Sequence, residues 1–208
     1  MVRKNSSCDE QGFGLVEQIV AMSIFLFIMS IAMSILISIQ KAESHAQLRS
    51  TSNDQARLAM MNIGRQIRSA NYIYDPASMP NPYMELVIYT QVNGTNKCMQ
   101  WEINNQNLLV RSWYPNPASP GYSAVSAWSP VASNIQNQTL SPPVDAFSFN
   151  INPSFGSSAN GGKRLIDVNL VVNAGTNSQS AVDLQGSYTG LNIQYGYPSL
   201  SCNIIPPG

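Results

Sequence analysis

From Ile19 to Ile39 the chain runs twenty-one residues without a charge, and most of them are Ile, Phe, Leu, Met or Val. As a helix, a stretch of that length matches the hydrocarbon thickness of a bilayer, so this part of the chain is suited to lipid. The constraint sharpens at its front edge. Glu17 stands two residues ahead of the run, and a carboxylate entering hydrocarbon is costly unless a partner neutralises it. The preceding segment, residues 1–12, is polar: Arg3 and Lys4 open it, Asp9, Glu10 and Gln11 follow, and Gly12 ends it. A secretory signal peptide would place no acids between its basic start and its apolar run, and would follow that run with an Ala-x-Ala site. A plain signal anchor remains an alternative, although it gives neither Gly12 nor Glu17 a reason.

The contiguous residues Gly12-Phe13-Gly14-Leu15-Val16-Glu17 resemble the N-terminal signature of type IV prepilins and the type II secretion pseudopilins. The resemblance implies that residues 1–12 are a leader and that a membrane prepilin peptidase cuts between Gly12 and Phe13. Phe13 would then be N-methylated, and Glu17 would be the fifth mature residue and an assembly determinant. Two departures stand out. Gly14 occupies the place of the usual small hydroxyl residue, which hardly affects processing. The proline that often interrupts the transmembrane half of major pilins is missing, which bears on assembly.

Between Phe13 and Ala70 there is no proline, and the only glycines are Gly14 and Gly64. That stretch is expected to form one helix of roughly 85 Å at 1.5 Å per residue. Its transmembrane segment is about 18–39. Ser30, Ser34 and Ser38 recur every fourth residue, a pattern that either lets neighbouring helices approach closely or bonds back to the helix's own carbonyls. After Gln40, Leu48, Ala56, Ala59, Met60, Ile63 and Ile67 continue as a narrower apolar face among Arg49, Asp54, Arg57, Arg65 and Arg68, as expected where a helix packs on a domain. Asp75-Pro76 and Pro80-Asn81-Pro82 end it.

Strand patterns follow. Residues 84–92, 97–103 and 107–113 are separated by Asn93-Gly94-Thr95-Asn96 and Asn104-Asn105-Gln106, which reads as an antiparallel meander. Met99, Trp101 and Ile103 fall on one face with Gln100 and Glu102 on the other, so one side of the sheet is expected to be buried. Residues 114–143 are rich in Pro, Ser, Asn and Ala and are expected to wander over the surface. Alternation resumes at 146–151 and 165–172, and a weaker strand signal lies at 191–195. The fold class is therefore α+β: a long N-terminal helix, transmembrane and then amphipathic, packed on an antiparallel sheet in residues 71–208. In outline this resembles J-type pseudopilins and PilW-type minor pilins. The looser likeness rests on the Trp128 segment, the Phe147 and Phe149 strand, and the 165–172 strand ahead of an extended tail.

Charge and cysteine content narrow the function. Only 11% of the 208 residues are charged and the formal net charge is zero. Residues 13–70 carry five basic and three acidic groups, and residues 71–208 carry four basic and six acidic ones. No phosphate track is offered, so stable nucleic-acid binding is not expected. Loss of the leader would remove Cys8 and leave Cys98 and Cys202 in a domain outside the membrane, where oxidation is permitted. They are expected to form a disulfide tying the tail to the sheet; two buried thiols are the alternative. With one distant histidine, His45, no metal set is expected, and no cofactor.

There is no Gly-x-Ser-x-Gly elbow, His-Glu-x-x-His or Walker loop, so no catalytic residue is assigned. Glu85 and Glu102 across strands are expected to be a solvated pair. Trp101, Trp113 and Trp128 could form a sugar platform but are better placed in the core and its rim. Asn93-Gly94-Thr95 and Asn137-Gln138-Thr139 match the glycosylation sequon, a short pattern of little weight.

The expected function is a non-enzymatic minor pilin or pseudopilin. It would sit in the bacterial cytoplasmic membrane with its C-terminal domain outside, then enter a surface filament, with other pilin or pseudopilin subunits as partners. The alternatives are a tip adhesin or receptor on a pilin stem, binding carbohydrate, DNA or a surface, and a major pilin.

Overall fold

The computed structural model describes residues 14–92, 94–115, 121–149, 165–175, 181–190, 202 and 204–207. The chain divides into two compact units, residues 1–46 and 47–208. Helix α1 (Leu15–Arg68) is continuous over 54 residues, as a proline-free sequence with a single interior glycine permits.

In the first unit every described residue, from Gly14 to Ala46, is exposed. Among the described residues α1 is the one helix long and apolar enough to cross a membrane, and none of its apolar window is buried in protein. Ser34 Oγ donates to the Ser30 carbonyl and Ser38 Oγ to the Ser34 carbonyl, both at 2.9 Å. These two hydroxyls bond back to the helix's own carbonyls, as one of the two readings of this stripe has it.

In the second unit α1 buries Ser52, Ala56, Ala59, Met60, Ile63, Gly64 and Ile67, a face repeating at three and four residues. Leu48, expected on this face, is instead 53% exposed. The helix first meets the domain at Ser52, so Leu48, one turn earlier, has nothing to pack against.

The main sheet is antiparallel, with β1 (Ala70–Ile73), β2 (Glu85–Val92), β3 (Thr95–Asn104) and β4 (Asn107–Pro115) in order. β5 (Tyr122–Ser123) and β6 (Ser129–Ser133) share the outer edge of β4, at Tyr114–Pro115 and at 107–110 respectively. The β3–β4 hairpin turns on Asn105 and Gln106, both at positive φ (48° and 62°), as its two-residue loop requires. A second sheet has the order β7 (Phe147–Phe149), β8 (Leu165–Val172), β9 (Val182–Thr189). The two are joined where Ile135 bridges Val172 and Gln136 N–H donates to the Val171 carbonyl at 2.7 Å.

Three parts of this architecture differ from expectation. Helix α1 ends at Arg68 and the chain turns straight into β1, which pairs with β2, so Asp75-Pro76 and Pro80-Asn81-Pro82 lie beyond a strand and do not end the helix. Residues 114–143 do not simply wander, because β6 lies along β4 and Ile135 and Asn137 are fully buried. Asn137 Nδ2 donates to the carbonyls of Val144 and Asn169, and its Oδ1 accepts from Val171 N–H. That amide stitches the loop to β8 and offers no surface for a glycan. The weak strand at 191–195 lies outside the described residues; a strand does occur earlier, at β9.

The helix and one face of both sheets enclose the principal core, with Leu86, Ile88, Trp101, Ile103, Leu108, Phe147, Ile166, Val168 and Leu170 against Ala56, Ala59, Ile63 and Ile67. Trp101 Nε1 donates to Gln66 Oε1 at 2.7 Å, so its indole is buried with its polar edge satisfied. Gly64 explains how closely β9 approaches α1, since a Cβ at this position would overlap the Tyr188 ring. Glycine in a helix interior costs about 1 kcal/mol relative to alanine, and here that cost makes room for an aromatic ring.

Candidate functional site

The sequence-derived site residues fall at two places. At the start of α1 the Glu17 side chain is exposed, and its backbone N–H donates to the Gly14 carbonyl at 2.9 Å. It is the only acid in the first turn of the helix, where the unsatisfied amides favour negative charge. Gly12 and Phe13 lie outside the described residues. From Leu15 to Ile39 large apolar side chains are exposed on every side, Val16 at 73% and Phe27 at 68%. Such a surface is stable in lipid or against other helices, and unstable in water.

The second place is the outer face of the main sheet, where Cys98 and Cys202 are joined, 104 residues apart in sequence and 5.8 Å apart at Cα. Cys98 points away from α1 because it alternates with Met99 on β3. Around it a second core gathers Tyr74, Val87, Tyr89, Trp113 and Cys202, with Tyr72 and Ile205 packed against it. Cys202 N–H donates to Tyr74 Oη at 2.7 Å. Burial pushes the Tyr74 phenol up to about 12, with the Cys202 amide opposing the rise.

A polar chain continues along the same face. Gln100 Nε2 donates to Glu85 Oε1, and Arg111 Nε donates to Gln100 Oε1 at 2.6 Å. Arg111 Nη1 then donates to the Pro207 carbonyl at 2.9 Å, and Nη2 to the Pro206 carbonyl. Its guanidinium carbon lies 4.3 Å from the Trp128 ring centre, within cation–π range. The tail is thus held at Cys202 by a covalent bond and at Pro206–Pro207 by a charge-assisted pair of hydrogen bonds.

This overturns two expectations. The sheet is buried on both faces, because Cys202 and residues 204–207 cover the one expected to face solvent. Glu85 and Glu102 are direct cross-strand partners, but Glu85 is 2% exposed and is not solvated. Burial raises the carboxyl pKa of Glu85, with the Gln100 hydrogen bond opposing, and burial also raises that of Glu102, with the Arg111 charge opposing. Burial lowers that of Arg111. A carboxyl whose folded pKa is raised contributes stability that is full below its unfolded pKa and lost as pH rises through the folded value. Glu85→Gln is therefore expected to raise the urea midpoint of the detergent-solubilised chain at pH 7 and to shrink the gain seen on mild acidification. A lower midpoint at pH 7 with an unchanged pH slope would contradict this.

Trp101 and Trp113 are 2% and 0% exposed, so they serve the two cores and leave only Trp128 at the surface, with Arg111 against its ring. Sequence reasoning does not single out Gln100 or Arg111 as functional, and only their place on the strands of Cys98 and Trp113 could mark them. Among the described residues no group of His, Cys, Asp and Glu is arranged to hold a metal. Comparison of the chain with protein-family models, with curated proteins and with solved structures finds no match to any of them.

Proposed function

We propose that this chain is a minor pilin or pseudopilin, a non-enzymatic subunit that helps to start or build a type IV filament or a related machine. A prepilin peptidase removes residues 1–12, α1 holds the subunit in the cytoplasmic membrane, and the β domain stays outside until the stem enters a helical bundle. The observation that carries this reading is Glu17, a charged residue at the front of an otherwise uncharged and wholly exposed apolar stretch of helix. A bundle of such stems removes both difficulties at once. The apolar surface is covered, and Glu17 meets the positive terminal amine of a neighbouring subunit's Phe13, a pair whose geometry fixes axial register. The mature stem is helical from Leu15, close to the cleavage point, which suits that role.

The minor assignment rests on bulk and on the helix. The domain beyond α1 is loop-rich and stitched by long-range contacts, more than a repeating subunit needs, and α1 lacks a proline at which it would unwind on packing. First contacts between stems form in the membrane with no existing bundle to stabilise them, and a heteromeric starter complex supplies those contacts. Deleting the chain is expected to lower the number of filaments per cell more than their length. Quantitative proteomics of purified filaments should find it scarce; a dominant share would overturn the minor assignment.

A further inference from the structure

We propose that the end of the C-terminal tail, residues 204–207, is a proton-controlled latch. It stays on the outer face of the main sheet while Glu85 and Glu102 hold one proton between them, and swings away, hinged at Cys202, when both carboxyls ionise. The device lies wholly within the unit of residues 47–208 and goes beyond the filament reading without resting on it.

Two carboxyls and one guanidinium meet on this face. Glu85 and Glu102 are direct cross-strand partners on β2 and β3. Gln100 is opposite Arg111 in the β3–β4 register, so Glu102, two residues on, is diagonal to Arg111 and within reach of its long side chain. Glu85 and Arg111 are both buried. The groups that face the carboxyls are the Gln100 amide from β3, the Asn81 backbone N–H ahead of β2, and Arg111 from β4; Tyr122 on β5 acts in turn on Arg111. The Arg111 charge favours ionisation of either carboxyl, but it can offset only one full negative charge.

Arg111 is where two demands compete. Its Nε donates to Gln100, which passes the interaction on to Glu85, while Nη1 and Nη2 donate to the carbonyls of Pro207 and Pro206. With one carboxyl ionised, the Nη groups remain with the tail. A second carboxylate changes the balance, since an ionised acceptor binds a guanidinium about twice as strongly as a neutral carbonyl does. The Nη groups then turn to the carboxylate, and the tail loses its polar hold. Linkage has the same sign. Burial raises both carboxyl pKa values, so seating is full at low pH and is lost as pH rises through the raised values. The bond from Cys202 to Cys98 keeps the tail attached, so only the chain beyond it moves, baring Arg111 and the Trp128 ring that stacks on it.

The test uses the full-length chain in detergent on a Cys8→Ser background, with Cys98 and Cys202 joined and a bimane dye on Pro207→Cys. Pro207 is exposed, and the substitution keeps the backbone carbonyl that Arg111 binds. Tryptophan quenches bimane on contact, so emission reports whether the tail lies beside Trp128, and Trp128→Phe supplies the unquenched reference. Emission should rise reversibly between about pH 4 and about pH 9 with unchanged circular dichroism. Through the transition the seating constant should fall about tenfold per pH unit, the slope of one linked proton.

Glu102→Gln leaves a single carboxyl for Arg111 and should keep the emission low throughout. Glu85→Gln should do the same, and decides the matter if Glu102→Gln does not fold. Emission indifferent to pH in the parent chain, a rise that both glutamine variants retain, or a rise that comes only as the circular dichroism collapses would each overturn the latch.

Discussion

Replacing Cys98 or Cys202 with serine is expected to cost the β domain about 4–5 kcal/mol, the chain-entropy value for a loop of this size, with measured cases often lower. The bond closes 104 residues, and its loss is not confined to loop entropy. Cys202 and residues 204–207 are the lid of the second core, so their release would bare Tyr89 and Trp113 and strip Arg111 of its two carbonyl acceptors. Arg111 would keep its Nε bond to Gln100, but its two charge-assisted bonds to the tail would be exchanged for water. The same change should therefore make the tail accessible to protease before the rest of the domain unfolds. Chemical denaturation of the chain with and without reductant measures the first effect, and timed proteolysis the second. Equal midpoints with and without reductant would contradict the account.

Glu17→Gln is expected to leave membrane insertion and leader removal intact while lowering entry into filaments by on the order of 100-fold. That factor corresponds to roughly 3 kcal/mol, the lower end of what is lost when one partner of a buried ion pair is removed. Insertion should be unaffected, or slightly eased, because the carboxylate is the costly group in lipid. Mutant and wild-type chains can be counted in membranes and in sheared filaments of the same cells. Equal ratios in the two fractions would show that Glu17 has another role.

The fold was legible where local chemistry decides it. The proline-free run matches the length of α1, Asn-rich turns delimit β2, β3 and β4, and the alternation of Ile166, Val168, Leu170 and Val172 announces β8, whereas the prolines at 76, 80 and 82 fall after β1 and do not end the helix. It was illegible where a polar residue is buried by something distant. Gln100, Glu85 and Arg111 read as solvent-facing because their cover is a tail about a hundred residues away, and only the pair Cys98 and Cys202 hinted at it. Strand β9 carried its signal in Val182, Leu184 and Tyr188, but Gly186 breaks the apolar series. A Cβ at that glycine would press on the Tyr188 hydroxyl and on Met60 Cε, so the tips of those two side chains would have to shift to admit one. Asn137 shows the same limit, since a sequon and a buried structural amide have one spelling. At the stem, the composition of α1 was enough to suggest a membrane span, whereas what surrounds it depends on partners that a single chain does not contain.

The most direct test of the central claim is the N-terminus of the protein taken from membranes of a host that expresses its own prepilin peptidase. Intact-mass and peptide mass spectrometry should find the chain beginning at Phe13, with that residue N-methylated and residues 1–12 absent. A chain that still begins at Met1 in such a host would contradict the account.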